Sequence, residues 1–320
     1  MQLRHLLLYA LLTTLTLAGV GGCRKNVEEF RPYPVTLEDI ALLLQQVPDP
    51  ATQTVFTMNG AVPDTTLHTP GGVQVTLTDT EQLFMDAEGN QVPCSTCQNL
   101  EIEITEAFRK GDMLAQNIPT TDSDGNLFES SGAVRIIVKC EGKPLQLLEN
   151  RNIKIQIPAT DPKLNWKMFT FGTIDSTVWE NTQQQAYAAD WPGPNSTIVK
   201  GYELIAKTLG WVSGGSIPQV GSISFCLDLP PNLNPQNTVA FLVFKNTKII
   251  VPLEVPDNAD NFCFSNVLPG YPVRIVTVSK FDGQYWLGQK EDETGLNATT
   301  KSIEPKLMTE QQVLDFLRGL

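Results

Sequence analysis

Apolar and polar residues alternate with a period of two along much of the chain. "VQVTLT" sets Val73, Val75 and Leu77 on one face, and "IKIQI" lines up Ile153, Ile155 and Ile157. "LEIEITE" opposes Leu100, Ile102 and Ile104 to Glu101, Glu103 and Thr105. Strict alternation predicts strands that pack on one face and meet water on the other. Several such runs, divided by Gly, Asp and Pro, predict a β-sandwich over residues 51–160. A second sandwich-like domain is expected over residues 161–301. There "TVAFLVFKNTKIIVPL" predicts two buried strands around an Asn246-Thr247 turn. "VRIVTVSKFDGQYWLGQK" predicts a hairpin on Asp282-Gly283, a pair suited to positive φ. The segment "ATDPKLNW", residues 159–166, is the expected linker, and residues 181–219 read as irregular with a short helix near Gly201–Leu209.

Helical periodicity shows only near the two ends. "TLEDIALLLQQV" begins with Thr36 as a cap and carries Leu37, Ile40, Ala41, Leu44 and Val47 as a stripe, stopped by Pro48 and Pro50. "MTEQQVLDFLRGL" offers Thr309 and Gln312 as a capping box, with Val313, Leu314, Phe316, Leu317 and Leu320 on one face. The last helix belongs to residues 302–320. The expected fold class is thus mainly β: two β-sandwich domains with short N-terminal and C-terminal helices.

Residues 1–22 have a different pattern. Arg4 precedes an apolar run from Leu6 to Ala18, and Val20-Gly21-Gly22 leads directly into Cys23. The run is short and broken by threonines, which fits a signal peptide better than a spanning helix. The small residues before Cys23 resemble the lipobox of bacterial lipoproteins. That resemblance implies cleavage before Cys23, lipidation of its thiol, and a tether with a short helix over residues 23–50. Two or more acyl chains hold a protein to a bilayer stably, whereas one holds it marginally.

The chain carries 23 Lys and Arg against 35 Asp and Glu, a formal net charge of −12. Such an excess disfavours nucleic acid and anionic lipid as partners and promotes solubility. Outside the cytoplasm disulfides persist. The strand patterns of "SISFCLDL" and "NFCFS" point Cys226 and Cys263 away from the apolar faces, so a Cys226–Cys263 bridge is expected. Cys140 points inward, within reach of Cys97 or Cys94. With Cys23 set aside, five cysteines leave at least one unpaired or paired otherwise.

Residues 51–158, above all "ITEAFRKGDMLAQNIPTTDSDGNLFESSGAVRI", resemble a β-sandwich region of extracytoplasmic lipoproteins of the Bacteroidota. That region is similar in turn to the sandwich shared by zonula occludens and netrin-receptor proteins. "LIAKTLGW" and "YWLGQK" resemble the companion domain of the same lipoproteins. The resemblance implies an outer-membrane protein held by its lipid, on the periplasmic or the surface face. It supplies no catalytic residues.

Motifs for chemistry are sparse. Beyond the leader the single histidine, His68, lies before Pro70-Gly71-Gly72 with no nucleophile motif, so no catalytic residue is assigned. "CSTC", Cys94 to Cys97, has ligand spacing but no second CxxC, so a disulfide is expected rather than a metal. "TDSDGN" offers Asp122, Asp124 and Asn126, but its glycine sits at the fourth position, which suits a type I′ turn on Asp124-Gly125 rather than a calcium loop. "DAEGN" likewise reads as a turn. Glu101 and Glu103 share a polar strand face. No metal and no cofactor are expected. The aromatics are the most suggestive group, since Trp179, Tyr187, Trp191, Tyr202 and Trp211 crowd the irregular stretch. Either they stack on a sugar or anchor a protein partner, or they close the sandwich core.

These readings lead to an envelope lipoprotein, not an enzyme, with a binding or structural role and an envelope protein or polysaccharide as partner. Two alternatives are a glycan-binding accessory lipoprotein and a hydrolase using a carboxylate pair.

Overall fold

The computed structural model describes residues 36–59, 63–171, 178–193, 197–256 and 261–320. The leader, Cys23 and residues 24–35 of the expected tether lie outside these residues. The first half of the chain forms β1 (Gln53–Met58), β2 (Thr65–His68), β3 (Gln74–Leu77), β4 (Phe84–Met85), β5 (Gln91–Val92), β6 (Leu100–Ala107), β7 (Glu129–Cys140), β8 (Lys143–Leu147) and β9 (Ile153–Pro158). There follow β10 (Lys167–Phe171), β11 (Trp179–Gln185), β12 (Tyr187–Pro192), β13 (Ile198–Ala206) and β14 (Gly210–Ser216). The rest holds β15 (Ile223–Asp228), β16 (Thr238–Phe244), β17 (Ile250–Leu253), β18 (Phe262–Val267), β19 (Pro272–Phe281), β20 (Gln284–Glu293), β21 (Thr299–Ser302) and β22 (Lys306–Met308). Three helices complete the described chain: α1 (Thr36–Leu44), α2 (Lys110–Ala115) and α3 (Glu310–Arg318).

The fold is mainly β, built from two sandwiches. In the first, a five-stranded sheet ordered β12-β13-β9-β3-β2 covers a larger sheet. That larger sheet is organised on the long β7, which pairs with β6, β14 and β8. Val75, Ile155, Leu204 and Ala206 of the smaller sheet meet Ile102, Ile104, Val134, Ile136 and Val212 of the larger. In the second, β18-β15-β21 covers β17-β16-β19-β20-β22. Phe225, Leu227 and Phe262 there meet Leu242, Phe244, Val251 and Ile275.

A third core lies between the sandwiches. β16 sends Phe241 and Val243 to it, while Ala240, Leu242 and Phe244 face the other way. Both faces of β16 are buried, which is why "TVAFLVF" is apolar without interruption. Ile40 and Leu43 of α1, Met113 and Leu114 of α2, and Val313 and Leu317 of α3 join Phe169, Trp179 and Trp211 in this middle layer. Of the expected N-terminal stripe, Ile40, Leu44 and Val47 are buried, while Ala41 is exposed and Leu43 is buried in its stead. The capping box at Thr309 and Gln312 forms as the spacing predicts.

The structure differs from the expected organisation between 161 and 219. β10 and β14 join the sheet of β7, and β13 lies between β9 and β12. The segment 159–166 therefore connects strands of the first sandwich and is no linker between two domains. The stretch expected to be irregular is strand, and the expected helix at Gly201–Leu209 begins within β13. Gly201 is required there, because a Cβ would lie 2.0 Å from the Ile157 carbonyl oxygen and 2.5 Å from the Trp191 ring. The sandwiches also share backbone hydrogen bonds: Ser130 N–H donates to Lys248 O at 3.1 Å and Thr120 N–H to Ile250 O at 3.0 Å. At the hairpin between β19 and β20, Asp282 and Gly283 both take positive φ, 52° and 71°, as a type I′ turn requires.

Two disulfides staple the sheets. Cys226–Cys263 joins paired positions of β15 and β18 as expected. Cys97 takes Cys140, and Cys94 is a buried free thiol.

Candidate functional site

The tryptophans do not make a surface. Trp179 is fully buried, with edge contacts to the rings of Phe128 and Phe171 at 5.8 and 5.3 Å. Trp191 and Trp211 are 3% and 7% exposed. Tyr202 is buried with its ring stacked on Trp166 at 5.0 Å. Only Tyr187, on the edge strand β12, is exposed. The binding reading is thus corrected for Trp179, Trp191 and Trp211, which are buried: Trp179 and Trp211 join the middle core, where a large ring removes much apolar area from water. Tyr202 alone reaches a cavity, through its hydroxyl side.

Other sequence candidates resolve locally. The Asp122 carboxylate accepts from Asp124 N, Asn126 N and Asn126 Nδ2 at 3.1, 2.8 and 3.2 Å, so it closes its own turn. Only Gly125 of the Asp124-Gly125 pair takes positive φ, which replaces the expected type I′ geometry. Asp86 closes "DAEGN" in the same way through Glu88 N and Asn90, and Asn90 above all holds its carboxyl below the usual range. His68 is exposed at the end of β2. Glu103 pairs with Lys139 across the β6–β7 ladder at 3.6 Å, and Glu101 accepts from Asn99. Burial, then the charge of Glu81, pushes the Cys94 thiol up to about 11. A thiol so protonated is a poor nucleophile and a poor ligand. Among the described residues no group of three or more His, Cys, Asp or Glu could hold a metal.

The chemistry gathers elsewhere, in a cleft of about 940 Å³ where the two sandwiches meet. One wall is the turn between β16 and β17, Lys245 to Lys248, with Phe108 and Lys110 at the start of α2. The other is the β9 exit, Pro158 to Asp161, with Ile198, Val199 and Lys200 at the start of β13. Glu129 to Ser131 of β7, Lys163, Trp166 and Tyr202 close it. Five lysines and two carboxylates line it, the reverse of the balance over the whole chain.

The lysines are held in distinct ways. Lys110 Nζ donates to Phe244 O and Lys245 O at 2.5 and 2.8 Å. Burial, then the positive charges of Arg274 and Lys248, push its pKa below the usual lysine value. Lys248 Nζ donates to Ser131 O at 2.9 Å, and burial lowers its pKa as well. Lys163 pairs with Glu129 at 3.0 Å and lies over the Trp166 ring. Lys245 shares Glu291 with Arg274, and those two cations pull the Glu291 carboxyl down to about 2. Lys200 is exposed on the opposite wall and makes no ion pair among the described residues. Tyr202 Oη accepts from the Lys163 amide at 2.6 Å, while burial chiefly drives its pKa up. Thr247 Oγ1 is buried at the turn with no hydrogen-bond partner among the described residues.

Sequence reasoning passed over these lysines because they come from four separate places in the chain. Only "KNTK" at 245–248, two lysines around a turn, carried a local signal. Comparison with family models, with curated proteins and with solved structures returns no match, so the functional reading rests on this chain's own geometry.

Proposed function

We propose that the chain is a lipid-anchored cell-envelope protein that acts by binding rather than catalysis, and that its ligand sits in the cleft between the sandwiches. The cleft carries this reading. Its volume of about 940 Å³ lies within the range of small-molecule sites, and its walls combine a lysine-rich polar lining with an apolar patch at Pro158, Ile198 and Val199. The two disulfides support an oxidising compartment, and the leader with its lipobox-like end at Cys23 supports anchoring at the outer membrane. Among the described residues no helix is long and apolar enough to cross a membrane. A glycan site made of stacked tryptophans has no support, since those rings are internal.

The test is to fill the cleft. The full chain and its Val199→Trp variant are incubated with an extract of the native envelope and analysed by native mass spectrometry. A bound species on the wild type that the variant lacks is the expected result. Equal occupancy of both, or none on either, overturns the reading. For the anchor, Cys23→Ala is expected to move the protein from the membrane fraction to the soluble one.

A further inference from the structure

We infer that the cleft receives an oxyanion, as a carboxylate, sulfate or phosphate ester, carried on an apolar body. The charged end lies at the Lys245–Lys248 turn, and the body lies toward Ile198 and Val199. This rests on the cleft being the binding site and adds the chemical class of what binds there.

Lys163 is neutralised by Glu129, and Lys245 has a share in Glu291. Lys110 and Lys248 are different, because their partners are backbone carbonyls. A carbonyl orients an ammonium group but leaves its unit charge uncompensated. Burial that lowers both pKa values reflects the same fact: the fold holds two cations where charge is unfavourable. An anion in the cleft relieves that condition, and a neutral ligand does not. Partly buried pairs of this kind are screened less by salt than exposed ones.

Among the described residues Thr247 Oγ1 is buried with no hydrogen-bond partner, and the exposed Asn246 side chain lines the cleft beside it. Ammonium, hydroxyl and amide N–H all donate, and an oxyanion only accepts, so the two sets match. The body of the ligand follows from the other wall. Ile198 is 66% exposed at the start of β13, and Pro158 and Val199 lie beside it. That wall has no charge except Lys200 at its end and Asp161. Long nucleic acid does not fit, because the net charge of −12 repels a polyanion outside the cleft.

The experiment is calorimetric titration of the full chain with probes in matched pairs. Hexanoate is set against hexanol, and butyl phosphate against butanol, each at low and high sodium chloride. At least one oxyanion is expected to bind about tenfold or more tighter than its neutral counterpart, and to weaken as salt rises. Whichever acid binds separates an alkyl carboxylate from an alkyl phosphate as the source. Lys248→Met, which removes one of the two cations held only by carbonyls, is expected to lower that affinity about tenfold or more, and Lys200→Glu, at an exposed position with no ion pair among the described residues, is expected to lower it less with an unchanged melting temperature. Thr247→Val, which removes one hydroxyl and keeps the shape, is expected to lower it severalfold. Equal affinity for acid and neutral probes, or no binding of either acid, overturns the inference. If the Val199→Trp variant still loses the envelope species while both acids fail, the cleft stands and only the ligand's charge is wrong. If that variant retains the species, the cleft itself is wrong.

Discussion

The turn at Asp122–Asn126 and the turn at Lys245–Lys248 both reverse the chain between apolar residues, and both carry charged and amide side chains. The first is closed. Its carboxylate is 3% exposed and takes three donors from its own four-residue neighbourhood. The second is open. Its lysines reach across to other elements, and its threonine hydroxyl is left without a partner. A motif that looks like a ligand site in sequence can be a turn that binds itself. The turn that looks ordinary is the one with groups still available.

The largest effect expected from breaking this contrast is at Asp122. Asp122→Ala leaves two backbone N–H groups and one amide without their acceptor in a part-buried turn. The expected loss is about 3 kcal/mol in urea unfolding, with ligand affinity unchanged. Added calcium is expected to leave the melting temperature of the wild type where it is, since the carboxylate is already occupied. A second calorimetric comparison concerns Lys248→Ala. It removes one bond between the sandwiches and is expected to cost about 1 kcal/mol of stability. Unlike Asp122→Ala, it also lowers affinity for the ligand.

Glu106 lies between the two cases. Its carboxylate is 4% exposed, faces the Thr69 hydroxyl and makes no ion pair among the described residues. Burial raises its pKa above the ordinary 4.5, against the opposing Thr69 hydroxyl and Val73 amide. A carboxyl whose pKa is higher in the folded state favours the fold when protonated. Stability therefore falls as pH rises from about 4.5 through the raised value, and is flat above it. Glu106→Gln is expected to remove that slope in unfolding measured across pH, and a slope that persists contradicts this assignment. The smallest effect is at Thr247. Thr247→Val removes a buried hydroxyl that bonds to nothing, so the empty protein is expected to gain a few tenths of a kcal/mol or stay level. A loss of more than about 1 kcal/mol would mean that the turn is closed after all.

The same contrast explains what was legible in the residues alone. β6 and β9 could be read because one face of each is apolar and the other polar, and the Asp282-Gly283 hairpin and the Thr309 capping box follow from local stereochemistry. The Cys226–Cys263 bridge followed from side-chain direction on two strands. β11 and β12 were hidden because "WENTQQQ" and "YAADWP" are edge strands with mostly polar faces. β13 was hidden because "LIAKTLGW" has as many apolar residues at helical as at strand spacing. The middle core was invisible, since it requires knowing that β16 is covered on both sides. The cleft was hidden for the same reason. Lys110, Lys163, Lys200, Lys245 and Lys248 acquire a common role only after β7, β13 and β16 are brought together.

The most direct test of the central claim is the thermal shift of the full chain with saturating hexanoate or butyl phosphate, set beside Val199→Trp. A ligand held only by the folded state raises the melting temperature. The account predicts a rise for the wild type with at least one of these acids, and none for the filled cleft. An equal rise in both proteins, or no rise with either acid, contradicts it.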